Sequence, residues 1–508
     1  MIYQALYDNV TATVRPQFFE LSLDVLSPKA ALQLLTALVG VERISQDVGA
    51  EPDLTQLCQW LDYQPLGLEL VGRYLAENPN LSLVEMLKQL KAQQLQDEAL
   101  NPSDQQMQKT YSRDTNQLGV KAAFELNWET LDPMTRRVGQ LLSLFAPTLI
   151  PWELVKMLSA TSLQLNWTKA SISRAKKQLY KWNLIQPVED REGCYTIHPL
   201  IREFLQAKLA ASEQADELRK AFAAAMVEIA QNIPDSPTRQ DIDSVRDAIP
   251  HLEEVAHSFA SALRDEDLLW LFDRLGRFYK SQGLYALAEP WFGECVLVAQ
   301  ARLGNDHPDV ATSLNNLAGF YYSQGRYSEA QPLYVQALEL KKRLLGDNHP
   351  DVAASLNNLA AVYDAQGCES EAEPLYMQAL DLRKRLLGED HPDVAQSLNN
   401  LALLYYTQGR YSKAEPLYVQ ALEQRKRLLG NDHPDVATSL SNLALLYYCQ
   451  GRYSKAEPLL VQALELSERV LGANHPNAVI FRENLATFRA KMGSKNSWLQ
   501  QILRKTNF

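Results

Sequence analysis

The sequence predicts a mainly α-helical fold that ends in a solenoid of about five to six stacked helical pairs. The first observation is a period of 42 residues, at which five histidines recur: His307, His349, His391, His433 and His475. The second is the spacing of apolar residues inside each period, which is typical of amphipathic helices. The third is a glycine, such as Gly325, that separates the two apolar stretches of a period.

The first hundred residues predict four packed helices. Ser27 and Pro28 offer a capping side chain and a first-position proline to a helix over SPKAALQLLTALVG. Further helices are predicted over DLTQLCQWLD, over QPLGLELVGRYLAE from Pro65, and over NPNLSLVEMLKQL. Together they resemble the helical domain that follows the nucleotide-binding core in NB-ARC (STAND) signal-transduction ATPases. In that family the proline of a Gly-Leu-Pro-Leu-Ala-Leu motif packs on the adenine. Pro65 matches it, which implies a nucleotide contact, although a proline that starts a helix needs no ligand.

Residues 115–210 predict four more helices and two strands. The helices lie in VKAAFELNWETLDPMTRRVGQLLSLFA, PWELVKMLS and ASISRAKKQLYKWNLIQ, and the strands lie in LIQPVEDREGCYTIH around an Asp-Arg-Glu-Gly turn. This segment resembles a winged helix, and HPLIREFLQAKL after it resembles the Met-His-Asp motif of the same ATPases. The resemblance implies that His198 contacts the diphosphate of bound ADP. Pro199 stands where the family has Asp, which weakens this implication.

Two observations limit the nucleotide hypothesis and a DNA-binding alternative. No GxxxxGK[ST] loop, which would hold the nucleotide phosphates, occurs in the sequence. The chain therefore resembles only the C-terminal part of such an ATPase, and nucleotide binding would need a nucleotide-binding domain supplied elsewhere. For DNA, the helix over Ser171 to Lys181 offers Arg174, Lys176 and Lys177 to phosphates but shows no base-reading pattern.

Each 42-residue period predicts a helix A and a helix B. Helix A covers about 309–324, with Pro308 at its first position and His307 before it as a cap and turn residue. Helix B runs from Tyr327 to Leu345 before Gly346 and ends in three basic residues. The basic triplets at 341–343, 383–385 and 425–427 are interpreted as solvated helix ends, with an acidic partner as the alternative.

The pairs resemble the tetratricopeptide repeat (TPR), in the variety found in kinesin light chains, over residues 268–492. This resemblance implies a right-handed superhelix with a concave groove. Counting back from Gly325, it implies that Asn315, Asn316, Gly319 and Tyr322 face the groove, as do their equivalents every 42 residues. The groove residues so predicted are Asn315, Asn316, Tyr322, Asn357, Asn358, Asn399, Asn400, Leu403, Tyr406, Asn442, Leu445 and Tyr448.

An Asn side chain both donates and accepts, so a ladder of Asn residues suits the backbone of an extended peptide. Tyr and Leu between the Asn residues would supply apolar pockets. Arg274, Arg277 and Lys280 are the exceptions to a scarcity of cations at these positions, which argues against a clamp for a terminal carboxylate. A structural role for the ladder within the solenoid stays open. Metal binding by the histidines is disfavoured, because successive repeats hold them about 10 Å apart.

Composition agrees with a protein-binding role. A net charge of −11 argues against nucleic acid and anionic membranes as partners, and the absence of a signal pattern or membrane span predicts a cytoplasmic protein. Five cysteines without a CxxC pair predict neither disulfides nor zinc, and we expect them to be small buried side chains.

These observations predict five segments and rank three functions. The segments are an NB-ARC-like helical domain (1–105), a winged helix (115–210), a helical linker (211–265), a TPR superhelix (266–492) and a C-terminal tail (493–508). The favoured function is a non-enzymatic scaffold, without catalytic residues, metal or cofactor, that binds an extended peptide or protein partner in the groove. The alternative is the sensor half of a STAND-type nucleotide switch that binds ADP, and a winged-helix DNA-binding regulator ranks third.

Overall fold

The computed structural model describes residues 25–40, 44, 50–100, 115–161, 167–235, 237, 239–473 and 475–505. Residues 1–24 and 101–105 of the predicted NB-ARC-like helical domain (1–105) lie outside these residues. The chain divides into two compact units, Met1–Asp267 and Leu268–Phe508, and each is described by itself.

The first unit opens with the four helices that the sequence predicts. They are α1 (Pro28–Val39), α2 (Ala50–Trp60), α3 (Pro65–Glu77) and α4 (Leu83–Leu100). The Ser27 hydroxyl accepts a hydrogen bond from the Ala30 amide at 3.3 Å, so the predicted cap of α1 is confirmed. Leu35 and Leu68, which are completely buried, belong to the core of α1 and α3.

A small antiparallel sheet follows in the same unit. Its strands β1 (Ile150–Pro151), β2 (Gln186–Val188) and β3 (Arg191–Thr196) lie in the order β1-β3-β2. The predicted Asp-Arg-Glu-Gly turn is wrong by one to two residues: the turn is Glu189–Asp190, and Arg191 already pairs with Val188. Pro187 pairs with Tyr195 and Val188 with Arg191, so the register shifts between Pro187 and Val188, and the spacing of turn residues does not reveal this shift.

Eight further helices lie among the described residues of the first unit, and two short 3-10 turns, Ala260–Ala262 and Asp265–Asp267, follow them. The helices before the hairpin are α5 (Thr115–Thr130), α6 (Pro133–Leu142), α7 (Trp152–Thr161) and α8 (Lys169–Lys181). After it come α9 (Pro199–Ala210), α10 (Ala215–Gln231), α11 (Arg239–Val245) and α12 (Ile249–Ser258). Phe145, Phe222 and His251 pack together in the core, with ring centroids 4.8 and 4.9 Å apart.

The second unit is the predicted solenoid: five helical pairs and a last helix. The A helices are α13 (Leu268–Ser281), α15 (Pro308–Ser323), α17 (Pro350–Ala365), α19 (Pro392–Thr407) and α21 (Pro434–Cys449). The B helices are α14 (Tyr285–Leu303), α16 (Tyr327–Leu345), α18 (Glu369–Leu387), α20 (Tyr411–Leu429) and α22 (Tyr453–Leu471). The last helix, α23 (Pro476–Lys505), packs on α22 and includes most of the predicted tail.

Local chemistry sets the ends of each helix in the repeats. The His307 Nδ1 accepts a hydrogen bond from the Asp309 amide at 3.2 Å, and the same bond recurs at His349, His391, His433 and His475. The predicted capping histidine is therefore confirmed. Gly325 follows α15 with φ +73°, a left-handed conformation that residues with a Cβ rarely adopt, and it turns the chain into α16.

The basic triplets at the ends of helix B differ from the prediction. Their first members, Lys341, Arg383 and Arg425, are buried, because this side of helix B packs against the start of the next helix A. Arg383 donates to the Asp393 carbonyl at 2.9 Å and to the Ser397 hydroxyl at 2.8 Å. The third members are exposed, but Arg343 and Arg427 form ion pairs with Asp306 and Asp390 in the preceding loop. These triplets join neighbouring repeats, so the interpretation as solvated ends is wrong for their first members.

Candidate functional site

The A helices of the second unit carry the predicted groove positions. Each A helix contacts the next A helix as well as its own B helix. The four positions that α15 fills with Asn315, Asn316, Gly319 and Tyr322 therefore lie beside their equivalents in α13 and α17. We call them the first, second, third and fourth groove positions, and the surface that they form the groove.

The Asn residues of successive repeats are bonded to one another. The second-position Asn of each A helix donates from its Nδ2 to the first-position side chain of the preceding A helix. The bonds are Asn358 to Asn315 at 3.0 Å, Asn400 to Asn357 at 3.2 Å and Asn442 to Asn399 at 3.0 Å. At the first junction Asp273 replaces Asn and accepts from Asn316 at 2.9 Å. The structure thus brings the predicted ladder together as pairs that span the repeat junctions.

The two Asn positions differ in what they leave accessible. Asn357 and Asn399 are only 4% and 7% exposed, and their Oδ1 atoms are used by the ladder. Asn358, Asn400 and Asn442 are half-buried. An Asn amide has two N–H donors and an oxygen that accepts twice, so one bond holds the side chain in place and leaves an N–H and the oxygen for another molecule.

Aromatic and apolar side chains continue the surface at the third and fourth groove positions. Tyr322 and Leu403 are 36% and 39% exposed, and Leu445, Tyr406 and Tyr448 are half-buried. Each of these tyrosines lies against a tyrosine that opens the following helix B. The ring centroids are 5.5 Å apart in Tyr322–Tyr327, 5.9 Å in Tyr406–Tyr411 and 5.6 Å in Tyr448–Tyr453. We call these the Tyr pairs.

Charged residues also lie at the groove positions, and Asp364 among them was not predicted from the sequence. Asp364 fills the fourth position in α17, and burial, with a smaller effect of Glu369, raises the pKa of its carboxyl. At the same position in α13, burial lowers the pKa of Lys280, as does the neighbouring Arg277. Arg277 itself pairs with Asp273 at 2.5 Å. The 42-residue pattern did not predict a role for Asp364, because the pattern is defined by residues that the repeats share and the third repeat differs at this position.

Cys449 and Cys368 contradict the expectation of small buried cysteines. Cys449 is exposed and its Sγ lies 3.3 Å from the Tyr406 hydroxyl, while Cys368 is half-buried. Both stand where most other repeats have polar residues, at the end of helix A and before helix B. Cys58, Cys194 and Cys295 are buried as expected.

The two residues predicted to contact a nucleotide both lie at helix starts of the first unit. Pro65 is the half-buried first residue of α3. His198 caps α9, since its Nδ1 accepts from the Leu200 amide at 3.2 Å, and burial lowers its pKa. The neutral ring then carries its proton on Nε2, which makes that nitrogen a donor.

Two of the basic residues of α8, Lys176 and Lys181, are engaged within the first unit. The Lys176 ammonium lies over the rings of Tyr195 and Trp152, at 4.5 and 5.3 Å from their centroids. Lys181 forms an ion pair with Glu77. Arg174 and Lys177 are exposed. This arrangement gives little support to the DNA-binding alternative, which needs several cations free for phosphates.

Metal and membrane sites are not seen in the described parts of the chain. No group of three or more His, Cys, Asp or Glu side chains is placed to hold a metal ion among the residues that the structure describes. None of the helices given above has an apolar stretch long enough to span a bilayer.

A family model of the tetratricopeptide repeat matches residues 267–343, 309–385, 365–427 and 408–469, so this part of the chain consists of such repeats. The regulatory protein AfsR of Streptomyces griseus is 30% identical over 122 residues, 24% of this chain and 11% of that protein. The chain thus spans only about a tenth of this curated relative.

Two solved structures are also similar. BtubC (BKLC) from P. vanneervenii is 27% identical and the match covers 47% of this chain and 93% of that one, with a TM-score of 0.38. A STAND protein with a tetratricopeptide repeat sensor from Pyrococcus horikoshii is 15% identical, with 92% and 70% coverage and a TM-score of 0.35.

Proposed function

We propose that this protein is a non-enzymatic interaction scaffold that binds an extended peptide, or an extended segment of a partner protein, in the groove of its tetratricopeptide repeats. The observation that carries the proposal is the ladder of second-position Asn residues. Each is fixed by one hydrogen bond to the preceding repeat and keeps a donor and an acceptor for a ligand.

The spacing of the ladder suits an extended chain. Successive A helices contact each other, and helices in contact lie about 8–10 Å apart. An extended peptide rises by about 3.3 Å per residue, so one Asn meets roughly every third peptide unit. Because main-chain groups are common to all sequences, such a ladder gives affinity, and the third and fourth groove positions give specificity.

Preorganisation favours this function over a purely structural ladder. An Asn that is already held in one rotamer loses little side-chain entropy when a peptide binds, which would otherwise cost about 0.5–1.5 kcal/mol per side chain. The Tyr pairs add apolar surface that is partly exposed and already packed on one side.

The test is a selection of random 12-residue displayed peptides on the immobilised full chain, followed by affinity measurements with one selected peptide. Replacing both Asn358 and Asn400 by Ala removes up to four peptide hydrogen bonds of about 0.5–1.5 kcal/mol each, so we expect the affinity to fall at least about tenfold.

Gln424→Ala is the matched control. It also removes an amide that bridges two repeats, because the Gln424 Nε2 donates to the Glu389 carbonyl at 2.9 Å, but Gln424 lies on helix B, outside the groove. Equal affinity of the double Asn variant and the wild type would exclude the groove, and failure to select any peptide would contradict the proposed function.

A second proposed function, the sensor half of a nucleotide switch, is favoured by one observation. The Nε2–H of His198 is a donor that makes no hydrogen bond to any described residue, and it could serve a phosphate oxygen. Under this proposal ADP with Mg²⁺ binds the full chain in calorimetric titration, with Pro65 on the adenine, and His198→Ala abolishes the heat. If the wild-type chain gave no binding heat, the proposal that this chain binds ADP by itself would be wrong.

A further inference from the structure

The third repeat differs from its neighbours inside the groove. Repeats two, four and five carry the Tyr pairs at the fourth groove position and at the start of helix B. In the third repeat these two positions are Asp364 and Glu369. A pair of carboxylic acids thus replaces a pair of aromatic rings in the middle of an otherwise nearly uniform array.

Stability does not account for Asp364. It is the penultimate residue of α17, at the negative end of the helix dipole, where an anion is unfavourable. It is half-buried, and burial is the main cause that raises the pKa of its carboxyl. Glu369 stands at the positive start of α18, where an acid is favourable, but it adds a like charge beside Asp364.

The third repeat has also lost the cation that could have compensated these charges. Before helix B, repeats two, four and five carry Arg326, Arg410 and Arg452, each paired with a Glu of the preceding repeat at 2.6 to 2.8 Å. The third repeat has Cys368 there, and its partner position holds Gln331. Neither Asp364 nor Glu369 forms an ion pair within the described residues of this unit, and Arg410 of the next repeat, on which the charge of Glu369 acts, is already paired with Glu373.

Aromatic rings stand around this pair of acids. Asp364 and Tyr322 occupy the same groove position on two A helices that contact each other. Burial, with a smaller effect of the Asp364 charge, raises the pKa of Tyr322 and of Tyr376 in the third repeat. Tyr322 is partly exposed at the neighbouring fourth groove position. Carboxylates beside tyrosine rings attract the cationic side chains of Lys and Arg, both by charge and through the ring faces.

A metal ion fits this place less well than an organic cation. Ca²⁺ takes about six to eight oxygen ligands and Mg²⁺ about six, whereas two carboxylates supply at most four oxygens. The described part of the chain shows no third acidic or histidine side chain grouped with them.

We propose that the peptide bound in the groove carries a Lys or Arg at the level of the third repeat, where Asp364, Glu369 and Tyr322 form a subsite for its cationic side chain. The inference rests on the proposed function, since the Asn ladder fixes the peptide backbone. The flanking Tyr pairs then select apolar or aromatic side chains on either side, and the groove recognises one basic residue between two apolar stretches.

The experiment uses the full chain and a displayed library of random 12-residue peptides. Selection is run in parallel on the wild type and on Asp364→Tyr/Glu369→Tyr, which gives the third repeat the residues that its neighbours already accommodate. We expect peptides selected on the wild type to be enriched in Lys or Arg at one position, and the enrichment to disappear on the variant while peptides are still selected.

One selected peptide is then compared with its Lys→norleucine or Arg→norleucine analogue by fluorescence anisotropy. We expect the neutral variant Asp364→Asn/Glu369→Gln to lower the affinity of the basic peptide about tenfold and to leave that of the analogue unchanged. The control Asp381→Asn/Glu423→Gln removes the same charge from exposed positions on α18 and α20, outside the groove. It should change neither affinity, which separates a local subsite from general attraction to a chain of net charge −11.

The remaining outcomes are distinguishable. Selected peptides without a basic preference, or an equal loss of affinity in the control, would overturn the subsite and leave the groove function intact. If neither protein selects any peptide, the proposed function fails, and the subsite fails with it.

Discussion

At the residue scale, the clearest case of a buried polar group that serves structure alone is His251. Its ring is completely buried; Nδ1 accepts from the Ala146 amide at 3.1 Å, and Nε2 donates to the Leu149 carbonyl at 3.1 Å. Both ring nitrogens are therefore used in the neutral form. Burial lowers the pKa of His251 from 6.5 to about 4, and only the neutral ring satisfies both partners.

This arrangement predicts that the first unit loses stability in mild acid. Because the unfolded state binds the proton more tightly, the contribution of His251 is complete above pH 6.5 and declines as the pH falls towards 4. We expect the wild type to lose about 2–3 kcal/mol more than His251→Gln between pH 7 and 4.5, in urea titrations followed by tryptophan fluorescence. The effects of carboxylates that titrate in both proteins cancel in this comparison. If the free energies of unfolding of the two proteins changed equally with pH, the role given to His251 would be wrong.

The residue scale also shows where sequence reasoning stopped. The capping role of His307 and its equivalents could be predicted, because a histidine before Pro and Asp fixes a helix start within one short segment. The mutual bonds of Asn315 and Asn358 could not, since the partner is 43 residues away and depends on how two repeats stack. Asp364 could not be predicted for a different reason. A periodic pattern is defined by the residues that the repeats share, whereas we propose that Asp364 sets specificity because it differs from them.

At the element scale, neighbouring repeats are joined by a recurring contact of an Arg, a Glu and a Tyr, which we call the brace. Arg410 pairs with Glu373 at 2.6 Å, and its guanidinium lies 4.3 Å from the centroid of Tyr405, whose hydroxyl also donates to Glu373 at 2.9 Å. The ion pair lowers the pKa of the Glu373 carboxyl. The second-to-third junction has Gln331 and Cys368 instead. Gln331 donates from Nε2 to the Tyr363 hydroxyl at 3.4 Å and accepts from the Gln366 Nε2 at 3.0 Å.

Restoring the brace should stabilise this junction. We expect Gln331→Glu together with Cys368→Arg to raise the free energy of unfolding of the second unit by about 1 kcal/mol, since the pair is partly exposed but would stack on Tyr363. Gln331→Glu alone should be neutral or destabilising, because its partly buried carboxylate gains no cationic partner. A double-mutant cycle in urea measures the coupling, and additive single effects would show that no brace forms.

The elements themselves were largely predictable. The bounds of helix B, Tyr327–Leu345, agree with those that the apolar spacing and the two glycines indicate, and helix A begins one residue before its predicted start. The orientation of helix B about its own axis was not predictable. Arg383 lies inside the repeat junction because α18 turns that side towards the start of α19, and a triplet of basic residues looks the same whichever member is buried.

At the scale of the whole molecule, the second unit is held together by contacts between adjacent repeats. The large clusters of buried side chains join neighbouring repeats. One of them contains Phe481, Leu485 and Phe488 of α23 together with Leu460 and Tyr447 of the fifth repeat. In such an array the stability is close to a sum of repeat and junction terms. The helix α23 therefore covers an apolar face that the fifth repeat would otherwise expose.

Loss of this cover should remain local. We expect Phe488→Ala to cost about 3–5 kcal/mol in the last junction, because the side chain is 5% exposed and its ring lies 5.8 Å from that of Tyr448. In hydrogen exchange of the full chain, amides of α21 to α23 should exchange faster while those of α13 to α16 keep their protection. Ile480→Ala on the same helix is the control, since Ile480 is 50% exposed and its loss should alter neither region. A uniform loss of protection across all repeats would instead mean that the array unfolds as one cooperative body. In that case a peptide bound at the third repeat would stabilise the whole second unit, and not only the second and fourth repeats.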